Sequence, residues 1–184
     1  MRPRRFNDPG HFHFVTFSCY HKHQFLIDRR TCESLCDAID RARQLHKFLL
    51  NAYVFMPDHV HLLIFPRNDD YSISNILRDV KLPVAQRLIR RWRREAPAKL
   101  EKVRTHQGSR VVHRIWQAGG GYDRNLRDLE AVAKAIDYIE WNPVRRRLVR
   151  EPLEWVWSSA RARQGEADVP LIVDPVKIDG KHEL

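Results

Sequence analysis

His59 and His61 stand one residue apart at the head of an apolar run, Met56-Pro57-Asp58-His59-Val60-His61-Leu62-Leu63-Ile64-Phe65. Side chains in a strand alternate faces, so the two imidazoles lie together on one face while Val60, Leu62 and Ile64 pack behind. Neutral imidazole suits borderline divalent ions, and two on a rigid sheet make half of a metal site. Far along the chain, Tyr138 and Asn142 are four residues apart in a helical run and share its face. Pro143 disfavours helical geometry at Asn142 and places it at the helix end. An amide oxygen there is a hard ligand, matched to Mg²⁺ or Mn²⁺ beside histidine. Tyr138, one turn earlier, is a candidate nucleophile. A phenol has a pKa near 10, so attack on a phosphate needs help, such as a metal-polarised phosphate oxygen. The plainer alternative is structural: Tyr138 packs on the sheet, Asn142 caps the helix and Pro143 ends it.

The elements that must position these groups follow from periodicity. Residues 11–20 are aromatic and β-branched and read as a strand, 21–30 as a loop. A helix over 31–45 has Thr31 as its N-cap and Leu35, Ala38, Ile39, Ala42 and Leu45 at helical spacing. Residues 48–55 form a second strand, and Met56-Pro57-Asp58 turns it into the histidine strand as a hairpin. After a loop at 66–72, Ser72 or Ser74 caps a helix reaching about Arg94, which Pro83 kinks or divides. Residues 95–110 are polar and read as mobile. Residues 111–116 are a short strand and 118–122 a glycine-rich turn. A third main helix spans 125–141, followed by a short basic helical piece. This order predicts an α+β fold: a ferredoxin-like antiparallel sheet of four to five strands, with helices on one face. The other face is left open, where the imidazoles could meet a substrate. Residues 1–160 make one domain with a basic N-terminal arm, and 161–184 a tail.

The chain has 184 residues, 43% hydrophobic and 30% charged, with a net charge of +10 dominated by arginine. No run approaches the roughly 20 apolar residues that span a bilayer, and no signal peptide follows the basic start, so a cytoplasmic protein is expected and no membrane partner. The terminal Lys181-His182-Glu183-Leu184 has no entry signal to act with. Three cysteines without metal-type spacing suggest reduced thiols. Such a basic domain has nucleic acid as its default partner.

Two long motifs carry a resemblance. The run from Met56 to Leu63 resembles the HUH motif, two histidines around a hydrophobic residue, of single-tyrosine nucleases. Tyr138-Ile139-Glu140-Trp141-Asn142-Pro143-Val144-Arg145-Arg146-Arg147-Leu148-Val149 resembles the tyrosine helix of the REP-associated tyrosine transposases. Phe14–Phe17, Ser74–Lys81, Trp116-Gln117 and Trp157–Ser159 are similar pieces in the same order, so the resemblance covers roughly residues 10–160. It departs at Ala118–Gly121, where an aromatic-containing turn is expected. The resemblance implies metal ligands at His59, His61 and Asn142, a nucleophile at Tyr138, and Mg²⁺ or Mn²⁺ as cofactor. It implies a bacterial endonuclease and strand transferase that cleaves single-stranded DNA beside imperfect palindromic hairpins through a 5′-phosphotyrosine, acting as monomer or homodimer. Rejoining reverses the step without ATP, in keeping with the lack of a phosphate-cradling Gly-x-x-x-x-Gly-Lys.

Candidate DNA contacts are Arg4 and Arg5 of the N-terminal arm (with Arg2), Lys81, then Arg87, Arg90, Arg91, Arg93 and Arg94 around Trp92 as a stacking surface. Arg145, Arg146 and Arg147, with Arg150, follow the tyrosine helix. Other readings stay open. His11-Phe12-His13 competes for the metal, and His21-Lys22-His23 reads as solvated or phosphate-contacting. A non-catalytic nucleic-acid-binding ferredoxin-like module is one rival, although no aromatic RNP pattern is present. A zinc hydrolase with Asp58 as third ligand is the other.

Overall fold

Strict alternation in Phe12–Ser18 sends Val15 and Phe17 to one side and Phe12, Phe14 and Thr16 to the other. This strand, β1, forms the middle of the sheet. The computed structural model describes residues 7–119, 121–178 and 182–183, so Arg4 and Arg5 lie outside the described residues. The elements that follow are α1 (Arg29–His46), β2 (Phe48–Met56), β3 (His59–Pro66), α2 (Ile73–Glu95), α3 (Pro97–Glu101), β4 (Arg104–Gln107), β5 (Arg110–His113), β6 (Tyr122–Leu126), α4 (Leu129–Glu140), α5 (Asn142–Arg145) and α6 (Ala160–Arg163). Four strands make an antiparallel sheet in the order β2-β3-β1-β6. With α1 after β1 and α2 after β3, this is the expected ferredoxin-like arrangement.

Both sheet faces are covered, which corrects the expectation of helices on one face. The stripes Leu35, Ile39 and Ala42 of α1 and Ile76, Val80, Val84 and Leu88 of α2 bury against Val15, Phe17, Leu62 and Ile64. On the opposite face, Val132, Ile136 and Ile139 of α4 bury against Phe12, Ala52, Val54, Met56 and Leu63. The helix bearing Tyr138 thus lies over the face that the imidazoles share.

Several local expectations change with the tertiary context. The first helix starts at Arg29, and Thr31 donates its hydroxyl to Asp28 Oδ2 (2.7 Å) instead of capping. Ser72 caps α2 by accepting from Asn75 N, and the helix runs undivided through Pro83. Residues 95–110 are not structureless, because Val103 and Ile115, buried in the core, anchor the β4–β5 hairpin at its base. Residues 122–126 form a strand, so the third helix begins later than expected, capped by Asp128, which accepts from Ala131 N (2.7 Å). The expected tail docks through 171–176: Leu171 and Val176 are buried, and Asp174 bonds Leu50 N of the β2 edge (2.8 Å).

Gly121 explains part of the glycine-rich turn. Its φ is +73°, and a Cβ there would lie 1.9 Å from the Thr16 carbonyl oxygen, so only glycine lets β6 approach β1 this closely. Gly121→Ala should lower stability by roughly 2 kcal/mol or more in a urea melt, combining left-handed strain with a backbone clash. Gly119→Ala, at φ +93° but in open space, should lose less. Equal losses would mean that the contact with Thr16 is irrelevant.

Candidate active site

The turn at Pro57-Asp58 starts β3 on register, with His59 opposite Met56 and Ser18, and His61 opposite Val54 and Thr16. Both imidazoles are buried. Asp58 is an acceptor only, so His59 Nδ1 donates to Asp58 Oδ1 at 2.6 Å and its Nε2 carries the lone pair. His61 Nδ1 lies 2.7 Å from Thr16 Oγ1, a hydroxyl that matches either tautomer. The two Nε2 atoms face each other at 3.1 Å.

The end of α4 completes the cluster. Trp141 joins α4 to α5, and this junction buries Asn142, with Nδ2 3.3 Å from His61 Nε2. Tyr138, one turn back, is 43% exposed and meets His61 edge-to-face with 5.5 Å between centroids. The Arg145 guanidinium lies 5.1 Å over the Tyr138 ring and donates to the Tyr138 carbonyl oxygen at 3.2 Å. Phe14 stacks on His61 (5.4 Å, 16°) and meets Tyr138 edge-on (5.8 Å). Thus β3, α4 and the start of α5 bring together all four residues singled out for chemistry.

Burial keeps the imidazoles neutral. It pushes His61 down to about 3, helped by His59 and Arg146, and lowers His59 despite the opposing pull of Asp58. Neutral imidazoles keep their lone pairs for a cation. Asn142 Oδ1 is buried without a hydrogen-bond partner. Turning the amide by half exchanges two atoms of nearly equal shape and would bring that oxygen toward the Nε2 pair. Two nitrogens and an orphaned amide oxygen fit a divalent ion. Asp58 engages the opposite nitrogen of His59, so it orients the ring and is not the third ligand of a zinc centre. Among the described residues no three His, Cys, Asp or Glu side chains group to hold a metal.

The family described as Transposase IS200 like matches residues 9–108, more than half of the chain and inclusive of the histidine strand. The chain belongs to the IS200-like transposase family. A REP-associated tyrosine transposase of Haemophilus influenzae is 28% identical over 142 residues, covering 73% of this chain and 75% of its own. A solved REP-associated tyrosine transposase bound to a REP hairpin has a TM-score of 0.68 at 20% identity, over 100% of this chain and 98% of that one. That likeness shows a shared fold.

In this IS200-like transposase the remaining candidates fall at different places. His13 is buried on the other face of the sheet, its Nδ1 3.0 Å from Asp123 Oδ1 and its Nε2 2.7 Å from the Tyr71 hydroxyl. Both nitrogens are therefore engaged, and the His11-x-His13 pair does not compete for a metal. Lys22, between the solvent-facing His21 and the partly buried His23, pairs with Asp58 at 3.6 Å. Arg146 bears electrostatically on both site histidines. The arginines of α2 lie across the sheet, because the apolar stripe of that helix faces Val15 and Phe17. Arg87 pairs with Asp37 (2.8 Å) and Arg91 with Asp28, both acids reached across the α1–α2 contact. Arg90, Arg93 and Arg94 are exposed there, and Lys81 is half-buried with its ammonium 5.8 Å from the Phe17 ring centre. Trp92 is buried against Phe25 and is not a stacking surface for bases. Sequence reasoning did not single out Thr16 and Phe14. A lone polar residue inside the run Phe14-Val15-Thr16-Phe17 was the available signal. Among the described residues no helix is long and apolar enough to cross a membrane.

Proposed function

We propose that this transposase cleaves and rejoins single-stranded DNA beside hairpin-forming palindromic repeats, with Tyr138 as nucleophile. The observation that carries this reading is the convergence of His59, His61 and Asn142 beside the half-exposed Tyr138. The relatives named for REP association, one of them bound to a REP hairpin, support hairpin DNA as the partner. A divalent ion, Mg²⁺ or Mn²⁺, held by His59, His61 and Asn142 would polarise an oxygen of the scissile phosphate.

The chain supplies the rest. The Tyr138 oxygen gives up its proton and forms a bond to phosphorus, the bond from phosphorus to the 3′ oxygen breaks, and that oxygen takes up a proton and leaves as a free 3′-OH. The product is a 5′-phosphotyrosine. Attack of a 3′-OH on that linkage reverses the step, with the phenol as leaving group, and needs no ATP. The Arg145 guanidinium over the Tyr138 ring places a positive charge beside the phosphate to be attacked. Asp58 and Thr16 fix the ring orientations so that no reorganisation is needed at the moment of reaction.

Labelled hairpin DNA incubated with the protein and Mg²⁺ should give, on a denaturing gel, a protein–DNA species that survives boiling in detergent, together with a free 3′-OH fragment. If neither forms with any hairpin, including those from repeats flanking the gene, a non-catalytic binding module becomes the better reading. Affinity should come mainly from phosphate contacts. Changing Arg145, Arg146 and Arg147 together to Gln should reduce the log–log salt slope by about 0.7 per lost contact on single strands. The same exchange at Arg90, Arg91, Arg93 and Arg94, across the sheet, should change it less. An equal fall would show that the DNA extends to the α2 face.

A further inference from the structure

Tyr122 opens β6 on the α4 face with its ring 54% exposed. Its one aromatic neighbour among the described residues is Phe14, edge-on at 6.1 Å, and Phe14 in turn touches both His61 and Tyr138. A single ring therefore separates an exposed tyrosine from the nucleophile and from the histidine pair. The two tyrosines flank a groove of about 460 Å³ between β6 and α4, lined also by Arg124, Leu126 and Lys134. The outer edge of β2 is closed by backbone bonds from Ser159 N to Tyr53 O (2.9 Å) and from Asp174 N to Leu50 O (2.7 Å), whereas among the described residues β6 pairs with β1 alone.

The charges of the groove narrow what it can take. Lys134 is held by Glu130, and Asp128 is occupied in capping α4. Arg124 is exposed, points to the same face as Tyr122, and has no acid partner among the described residues. Within the groove, one exposed aromatic face and one guanidinium without an acid partner among the described residues thus remain. An apolar ligand would leave Arg124 unused, a simple anion would leave Tyr122 unused, and a duplex hides the faces of its bases. An unpaired nucleotide uses both groups, by stacking its base and pairing its phosphate.

We propose that this groove seats an unpaired nucleotide flanking the scissile phosphate, its base stacked on Tyr122 and its backbone phosphate held by Arg124. The proposal rests on the nucleolytic reading above for the identity of the strand. It is tested by binding alone, without divalent ion, so that cleavage is not required.

The probe is a fluorescent hairpin DNA with a single-stranded flank, titrated with the full chain. Tyr122→Ala should weaken binding about tenfold, within the range that base–aromatic stacking supports, while Tyr122→Phe should bind as the parent does. An abasic nucleotide moved along the flank should cause the same loss at one position with the parent protein, and no further loss there with Tyr122→Ala. Arg124→Gln should lower the salt slope by about 0.7. The abasic series uses the unaltered protein, so a folding defect cannot imitate it. Unchanged affinity of Tyr122→Ala, or additive losses at every abasic position, would overturn the proposal. Failure of the parent protein to form a covalent adduct with Mg²⁺ would instead count against the nucleolytic reading, and the binding results would still decide the groove.

Discussion

Tyr138→Phe should abolish the detergent-resistant DNA adduct and reduce cleavage by at least about a thousandfold, while hairpin affinity stays within a factor of two or so. The substitution removes one oxygen and keeps the ring, with its contacts to His61, Phe14 and Arg145. A half-exposed hydroxyl adds little to folding, so stability should shift by no more than about 1 kcal/mol. If Tyr138 only packs on the sheet, activity persists and the proposed chemistry is wrong at this residue. Peptide mapping of a trapped adduct separates a further case: attachment at Tyr122 or Tyr53 would preserve the reaction class and move the nucleophile. Tyr53 is a poor candidate, since it is fully buried and its hydroxyl accepts from Leu171 N.

His61→Ala and His59→Ala should each eliminate cleavage at ordinary Mg²⁺ concentrations and leave most of the DNA affinity, which phosphate contacts supply. A second readout does not depend on turnover. Mn²⁺ should raise the melting temperature of the parent protein through binding to the folded state, and either exchange should erase that rise. His61→Ala should also destabilise the metal-free protein by about 1–3 kcal/mol, because it removes a buried, stacked ring and takes away the partner of the half-buried Thr16 hydroxyl. Asp58→Asn should be milder, weakening the Mn²⁺ effect about 10- to 100-fold through loss of ring orientation. Full cleavage by His59→Ala would remove the histidine pair from the mechanism.

What was legible in the sequence rests on short-range periodicity. The two-residue repeat of a strand placed His59 and His61 on one face, and the helical repeat placed Tyr138 and Asn142 on another, without knowledge of any partner. The order of elements was enough for the ferredoxin-like sheet. Trp92 was legible too, because it continues the buried stripe Val80, Val84 and Leu88, although the arginines around it suggested exposure.

The rest depended on contacts between distant segments. An edge strand that buries only Leu126 has no hydrophobic signature, so β6 resembled the start of a helix until its pairing with β1 was seen. The acids that engage Arg87 and Arg91 lie 50 and 63 residues away, and only the packing of α1 on α2 brings them near. Local patterns show which face of a helix is apolar, but not which side of a sheet will cover it. Here α1 and α2 filled one side, leaving the face of the histidines as the place where α4 could bury Val132, Ile136 and Ile139. That placement set Tyr138 beside His61 and turned two separate motifs into one site.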